Sequence, residues 1–148
     1  MAASFHEATA GDMAALLDMM REFYALEGYP FDERAARAAL MDLVGDPALG
    51  RVWLAHASDK PIGYVVLTLG FSLEFHGRDA FVDELYVRLG HRGQGVGKRA
   101  IALVEATCRE LGVHALHLEV ERSNTAALQL YRTHAFIDHD RTLLTKWL

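Results

Sequence analysis

The sequence predicts an α/β (α+β) domain: one mixed, mostly antiparallel sheet of six to seven strands flanked by about four helices, in the order β-α-α-β-β-β-α-β-α-β(-β). Three observations carry this expectation. Apolar residues recur three and four apart near the N-terminus and again after Gly95, the period of a helix with one buried face. Between these stretches, two apolar runs flank Ser58-Asp59-Lys60-Pro61, the pattern of a hairpin. A glycine-rich segment then joins a strand-like run to a helix-like one, an alternation that suits a right-handed crossover between parallel strands.

Ser4 to Ala8 reads as a short strand. Thr9 and Asp12 form a capping pair before a helix that carries Leu16, Leu17, Met20, Phe23 and Tyr24 and stops at Gly28. Pro30 and Asp32 lead into a second helix over Glu33–Val44, broken by Gly45, Asp46 and Pro47. Arg51–His56 and Ile62–Leu69 are the hairpin strands, the second continuing with a bend through Phe75. Gly77, Arg78 and Asp79 supply the next turn and Ala80–Val87 the next strand. A long helix over Gly95–Leu111 would bury Val96, Ala100, Leu103, Thr107 and Leu111. Ala115–Val120 is a strand, and Ser123 or Asn124 caps a helix running to His134. One or two final strands are expected from Phe136 onward, ending at Trp147.

With 148 residues, 51% of them hydrophobic and 24% charged, the chain suits a single domain over 1–148. A net charge of -5 argues against a broad nucleic-acid surface. No apolar run is long enough to span a membrane. The lone Cys108 excludes an intrachain disulfide and suits a cytoplasmic location. Eight histidines fall without a chelating pattern, so no metal is expected.

The chemistry concentrates in Val87-Arg88-Leu89-Gly90-His91-Arg92-Gly93-Gln94-Gly95-Val96-Gly97-Lys98. Glycine permits close backbone approach, and the next helix offers free N–H groups and a positive dipole end, which together suit phosphate. Two nucleotide motifs fit poorly. A Walker loop fails because Arg92 and Arg99 stand where glycine and Ser/Thr are required. A dinucleotide fingerprint from Gly93 puts Lys98 in its third glycine position, and one from Gly95 puts Ala100 there but follows a hairpin-rich half that does not fit.

Arg92-Gly93-Gln94-Gly95-Val96-Gly97 resembles the R/Q-x-x-G-x-G/A signature of the GNAT superfamily of acetyl-CoA-dependent N-acetyltransferases. Phe81–Val87 resembles that family's fourth strand. Asn124-Thr125-Ala126-Ala127-Leu128-Gln129-Leu130-Tyr131 with Phe136 resembles its later helix, although Ala135 stands where glycine is usual. The resemblance implies that acetyl-CoA is the co-substrate, with its pyrophosphate on the amides from Arg92 through Gly93, Gln94, Gly95, Val96 and Gly97 to Lys98. It implies pantetheine pairing with Leu85, Tyr86 and Val87 beside a β-bulge, an oxyanion contact from the Val87 N–H, and a cofactor contact from Asn124. Tyr131 would be the general acid, and Asp83 or Glu84 the carboxylate that takes the amine proton, the choice between them open.

Glu22, Glu27, Tyr29 and Glu74 are candidate acceptor-binding residues, against the plainer reading of an amphipathic helix end and a strand surface. The expected function is acetyl transfer to a primary amine, a small-molecule one, by direct attack in a ternary complex. A non-catalytic acyl-CoA-binding module and a protein N-terminal or lysine acetyltransferase are the alternatives. The family habit and an exposed last strand suggest a homodimer.

Overall fold

The computed structural model describes residues 2–148. Five strands form one sheet in the order β1-β2-β3-β4-β5: β1 (Ser4–Glu7), β2 (Gly50–Ala57), β3 (Lys60–Ser72), β4 (Gly77–Val87) and β5 (Ala115–Leu118). The first four pair antiparallel, and β5 pairs parallel to β4. Four helices accompany them: α1 (Met13–Glu27), α2 (Glu33–Gly45), α3 (Val96–Glu110) and α4 (Thr125–Thr133).

Local chemistry explains most boundaries. Thr9 N donates to Asp12 Oδ2 at 2.8 Å, closing the expected capping box, although it encloses a short 3-10 turn ahead of α1. Gly28 ends α1 in the left-handed region at φ 73°. Asp32 and Asn124 cap α2 and α4 by accepting from Ala35 N and Ala127 N, each at 3.1 Å.

Two layers cover the sheet. On one face α1 and α2 pack Leu16, Leu17, Met20 and Leu40 against Val52, Leu54, Tyr64, Val66 and Tyr86. On the other, α3 packs Ala100, Ile101, Val104 and Cys108 against Trp53, Val65, Leu67, Ala80 and Val82. The buried stripe of α3 is thus Val96, Ala100, Ile101, Val104 and Cys108. The expected Leu103, Thr107 and Leu111 lie at its margin, because residues 96 and 100 are shared by two overlapping stripes and the sheet selects the other one.

The sheet departs from expectation at two places. The turn between β3 and β4 is Leu73–His76, not Gly77–Asp79. His76 takes the left-handed φ of 68° itself, so β4 starts at Gly77. The sheet also has five strands among the described residues, not six or seven. Residues 136–148 adopt no regular structure, because they form no backbone ladder with another segment and bury no apolar stripe.

Between Val66 and Leu67 the β3–β4 register slips: Val66 faces Glu84 while Leu67 faces Val82, so Asp83 is the extra residue of a β-bulge. Ala80 and Val82 upstream pack on the α3 face, whereas Tyr86 downstream packs on the α1 face.

Candidate active site

Pairing between β4 and β5 ends at Val82 opposite Leu118. Beyond that point the strands part, and a cleft of about 470 Å³ opens between Val82–Val87 on one side and Leu118–Glu121 on the other. The glycine loop and the start of α3 close one end through Arg92, Gly93, Gly95 and Lys98, while Asn124, Leu130 and Tyr131 of the α4 segment line the opposite wall.

The exposed backbone of β4 has a defined direction. Arg88 N donates to Ile62 O at 2.8 Å, so Arg88, and by alternation Tyr86, address β3. Leu85 and Val87 therefore turn their backbone groups toward the cleft, where β5 has left. Of the three strand residues expected to pair with an extended ligand, these two have groups to offer, and Tyr86 instead packs its ring among the buried residues under α1. Arg92 is already engaged: its Nε donates to Val87 O at 2.8 Å, and its guanidinium lies 5.7 Å from the Tyr86 ring centroid.

The loop is shaped as an anion cradle. Gly93 and Gly95 have φ of 75° and 81°, and Gly95 is the N-cap of α3. A Cβ at either would meet nothing within 4 Å, so backbone conformation, not crowding, calls for glycine there. The amides that open α3 have no carbonyl in a preceding turn and point outward. Lys98 lines the cleft beside them; Gln94 does not reach it.

The two candidate carboxylates separate sharply. Glu84 is half-buried on the α1 face, with both oxygens occupied: Oε1 accepts from Tyr64 Oη at 2.7 Å and Oε2 from Tyr24 Oη. Burial outweighs these hydrogen bonds and pushes its carboxyl above the ordinary value of 4.5. The same burial, with the adjacent carboxylate, drives the Tyr24 and Tyr64 phenols far upward, so both remain donors. Asp83, the bulged residue, is exposed toward the cleft, and desolvation by the cleft walls raises it above 3.8.

Tyr131 packs edge-on against Phe136 at 5.8 Å, and its hydroxyl has no hydrogen-bond partner among the described residues. Burial raises it as well, so it is a protonated phenol facing the cleft. Asn124 borders the cleft while its Oδ1 caps α4, leaving its amide NH₂ available.

The acceptor candidates scatter. Glu27 and Tyr29 line the cleft mouth, where Tyr29 Oη donates to Glu121 Oε1 at 3.2 Å and bridges the α1–α2 loop to the segment after β5. Glu22 pairs with Arg88 Nε at 2.9 Å outside the cleft lining. Glu74 lies in the Leu73–His76 turn, holding Arg141 through two hydrogen bonds of 2.9 and 2.6 Å, away from the cleft. Tyr64, Glu119 and Glu121 belong to the site region and were not singled out by the sequence. Among the described residues no group of three His, Cys, Asp or Glu side chains is placed to hold a metal ion, and no helix is long and apolar enough to cross a membrane.

The sheet thus opens into one slot beside a glycine-rich helix start suited to an anion. The chain belongs to the Acetyltransferase (GNAT) family, whose sequence model matches residues 14–136. It is an acetyltransferase of that family, whose enzymes use acetyl-CoA. It is 27% identical over 135 residues to a thialysine N-epsilon-acetyltransferase of Bos taurus, covering 85% of this chain and 79% of that one. Among solved structures it resembles an integron cassette protein from the mobile metagenome of Cole Harbour Salt Marsh, with 38% identity, a TM-score of 0.87 and coverage of 97% and 90% of the two chains. A predicted acetyltransferase of Clostridium acetobutylicum, solved with acetyl-CoA, shares the fold at 15% identity and a TM-score of 0.84, with coverage of 98% and 96%.

Proposed function

We propose that this enzyme transfers the acetyl group of acetyl-CoA to the primary amine of a small cationic molecule by direct attack, with both substrates bound at once. The observation that carries the proposal is the opening of β4 from β5 immediately beside the loop. It places an anion cradle, two free strand backbones and a protonated tyrosine around one slot.

The residues present fit acetyl-CoA. The loop amides from Gly93 to Lys98 suit its pyrophosphate, Leu85 and Val87 suit its amide-bearing arm as an added strand would, and the Asn124 amide suits a carbonyl of that arm. Acetyl-CoA supplies the activated acyl group as a thioester. The Val87 N–H then suits the oxygen on which negative charge develops. Tyr131 gives its proton to the departing sulfur.

The amine needs a lone pair, and Asp83 is our choice to receive its proton. Glu84 has both oxygens committed to phenols, whereas Asp83 faces the cleft. Glu84 instead fixes Tyr24 and Tyr64 behind the bulge and so holds Asp83 in place. Glu27, Asp83, Glu119 and Glu121 around the cleft favour a cationic acceptor, and the cattle relative's name specifies an ε-amine.

Thiol release from acetyl-CoA, followed across a panel of diamines, amino acids, aminoglycosides and peptides, tests the reading. Turnover with small cationic amines and not with peptides is the expected result; tight CoA binding with no amine turned over refutes it.

A further inference from the structure

The opening of α3 is weakly built for a helix. Gly95 makes no side-chain capping hydrogen bond, and no acidic residue occupies the first turn. The charged residues that begin the helix, Lys98 and Arg99, are both cations, which the positive end of the helix dipole disfavours. Arg99 N donates to Gly95 O at 3.1 Å and closes the first hydrogen bond of α3, so the amides of Val96, Gly97 and Lys98 have no partner within the helix. A turn left open in this way has to be held by something other than a cap.

The start of the chain supplies that hold. Arg99 Nη1 donates to Ala3 O, and the Arg99 guanidinium lies 5.4 Å from the Phe5 ring centroid. Phe5 is itself fixed in β1 opposite Ala55. Val96 is buried in a small core with Ala3, Ala55 and Ile62, and Phe5 and Val87 pack against that same core. The first turn of α3 and the strand residue whose N–H faces the slot thus share one support. Lys98 lines the cleft, whereas Ala3, Phe5 and Arg99 do not.

We propose that Arg99 is a positioning residue for CoA. By fastening the first turn of α3 to β1 from outside the cleft, it sets the Val96, Gly97 and Lys98 amides in the geometry that receives the pyrophosphate. The inference rests on the reading that these amides hold that group. A cradle preformed in this way loses less freedom when the cofactor binds.

Calorimetric titration of CoA into the intact chain, with initial rates beside it, tests the role. Arg99→Ala and Phe5→Leu should each weaken CoA binding and raise KM for acetyl-CoA by about tenfold. The value of kcat, the KM for the amine and the far-ultraviolet spectrum should stay close to those of the native enzyme. The double variant should lose little more than either single one, since both cut the same contact. Arg99→Lys, which keeps the charge without the planar fork, should restore part of the affinity. Native affinity in Arg99→Ala beside weakened affinity in Gly95→Ala overturns the positioning role and leaves the cradle standing. Native affinity in both overturns the cradle and the proposal with it. Weak binding in Arg99→Ala with native binding in Phe5→Leu means that the guanidinium meets the phosphates directly, and also overturns it. So does a loss of affinity matched by an equal fall in kcat and in melting temperature, which marks general damage to the fold.

Discussion

Tyr64 donates its hydroxyl to Glu84 across the β3–β4 pair at 2.7 Å, and this contact decides how two adjacent carboxylates divide their work. Glu84 is held as an acceptor, and Asp83 is left to the cleft. The proton held by each group sets the expected pH behaviour.

Glu84 has a folded-state pKa above its ordinary 4.5. The unfolded chain therefore releases this proton first. Its contribution to stability is complete below pH 4.5 and is lost as pH rises through the folded-state value. Glu84→Gln should remove that loss, and melting curves from pH 4 to 8 should show a flatter profile than for the native chain. An unchanged profile would mean that Glu84 titrates as a free carboxylate.

Asp83→Asn should lower kcat/KM for the amine at neutral pH by roughly 10²–10⁴-fold. Activity should return as pH rises, because an acceptor that is already deprotonated needs no base. In the native enzyme the acid limb attributable to Asp83 should lie above 3.8. Rate profiles of the pair, measured with one diamine, check both statements.

Tyr131→Phe should reduce kcat by roughly 10²–10⁴-fold while leaving affinity for CoA within a few-fold, since the ring and its packing on Phe136 are kept. Calorimetric CoA binding beside initial rates separates the two effects. Equal rates for the variant and native enzyme would remove this hydroxyl from the mechanism.

Gly95→Ala should weaken CoA binding, because φ 81° costs an alanine about 1–2 kcal/mol. Gly97→Ala is the control: its Cβ would sit 3.7 Å from Leu130 Cδ2, an ordinary contact, at a helical position. Binding titrations of the two variants should differ by about tenfold.

The glycine loop, the strand before it, the Asn124 cap and the Tyr131 helix were legible because each depends on neighbours in sequence. Turn glycines, caps and helical periods are local chemistry. What was hidden depends on distant pairing. Tyr24 and Tyr64 reach Glu84 across separations of 60 and 20 residues. The position of the bulge is a property of how β4 meets β3, and nothing in Phe81–Val87 alone marks Asp83 as the extra residue. The last strand was expected for a related reason: the apolar pattern after Phe136 is real, but a strand also needs a backbone partner, and residues 136–148 form no ladder with another segment.

The slip at Asp83 also makes β4 a spatial reading frame. Val82 and Tyr86 are separated by an even number of residues, yet they occupy opposite layers of the domain. Residue identity at position 83 can vary without disturbing that arrangement. Deleting the residue would leave the layers in place, because Glu84 opposite Val66 and Val82 opposite Leu67 would become neighbouring rungs of a regular ladder, with Val82 and Tyr86 an odd number of residues apart. What such a deletion removes is the bulge itself and the carboxylate it carries into the cleft, so it should spare the fold and cost the chemistry.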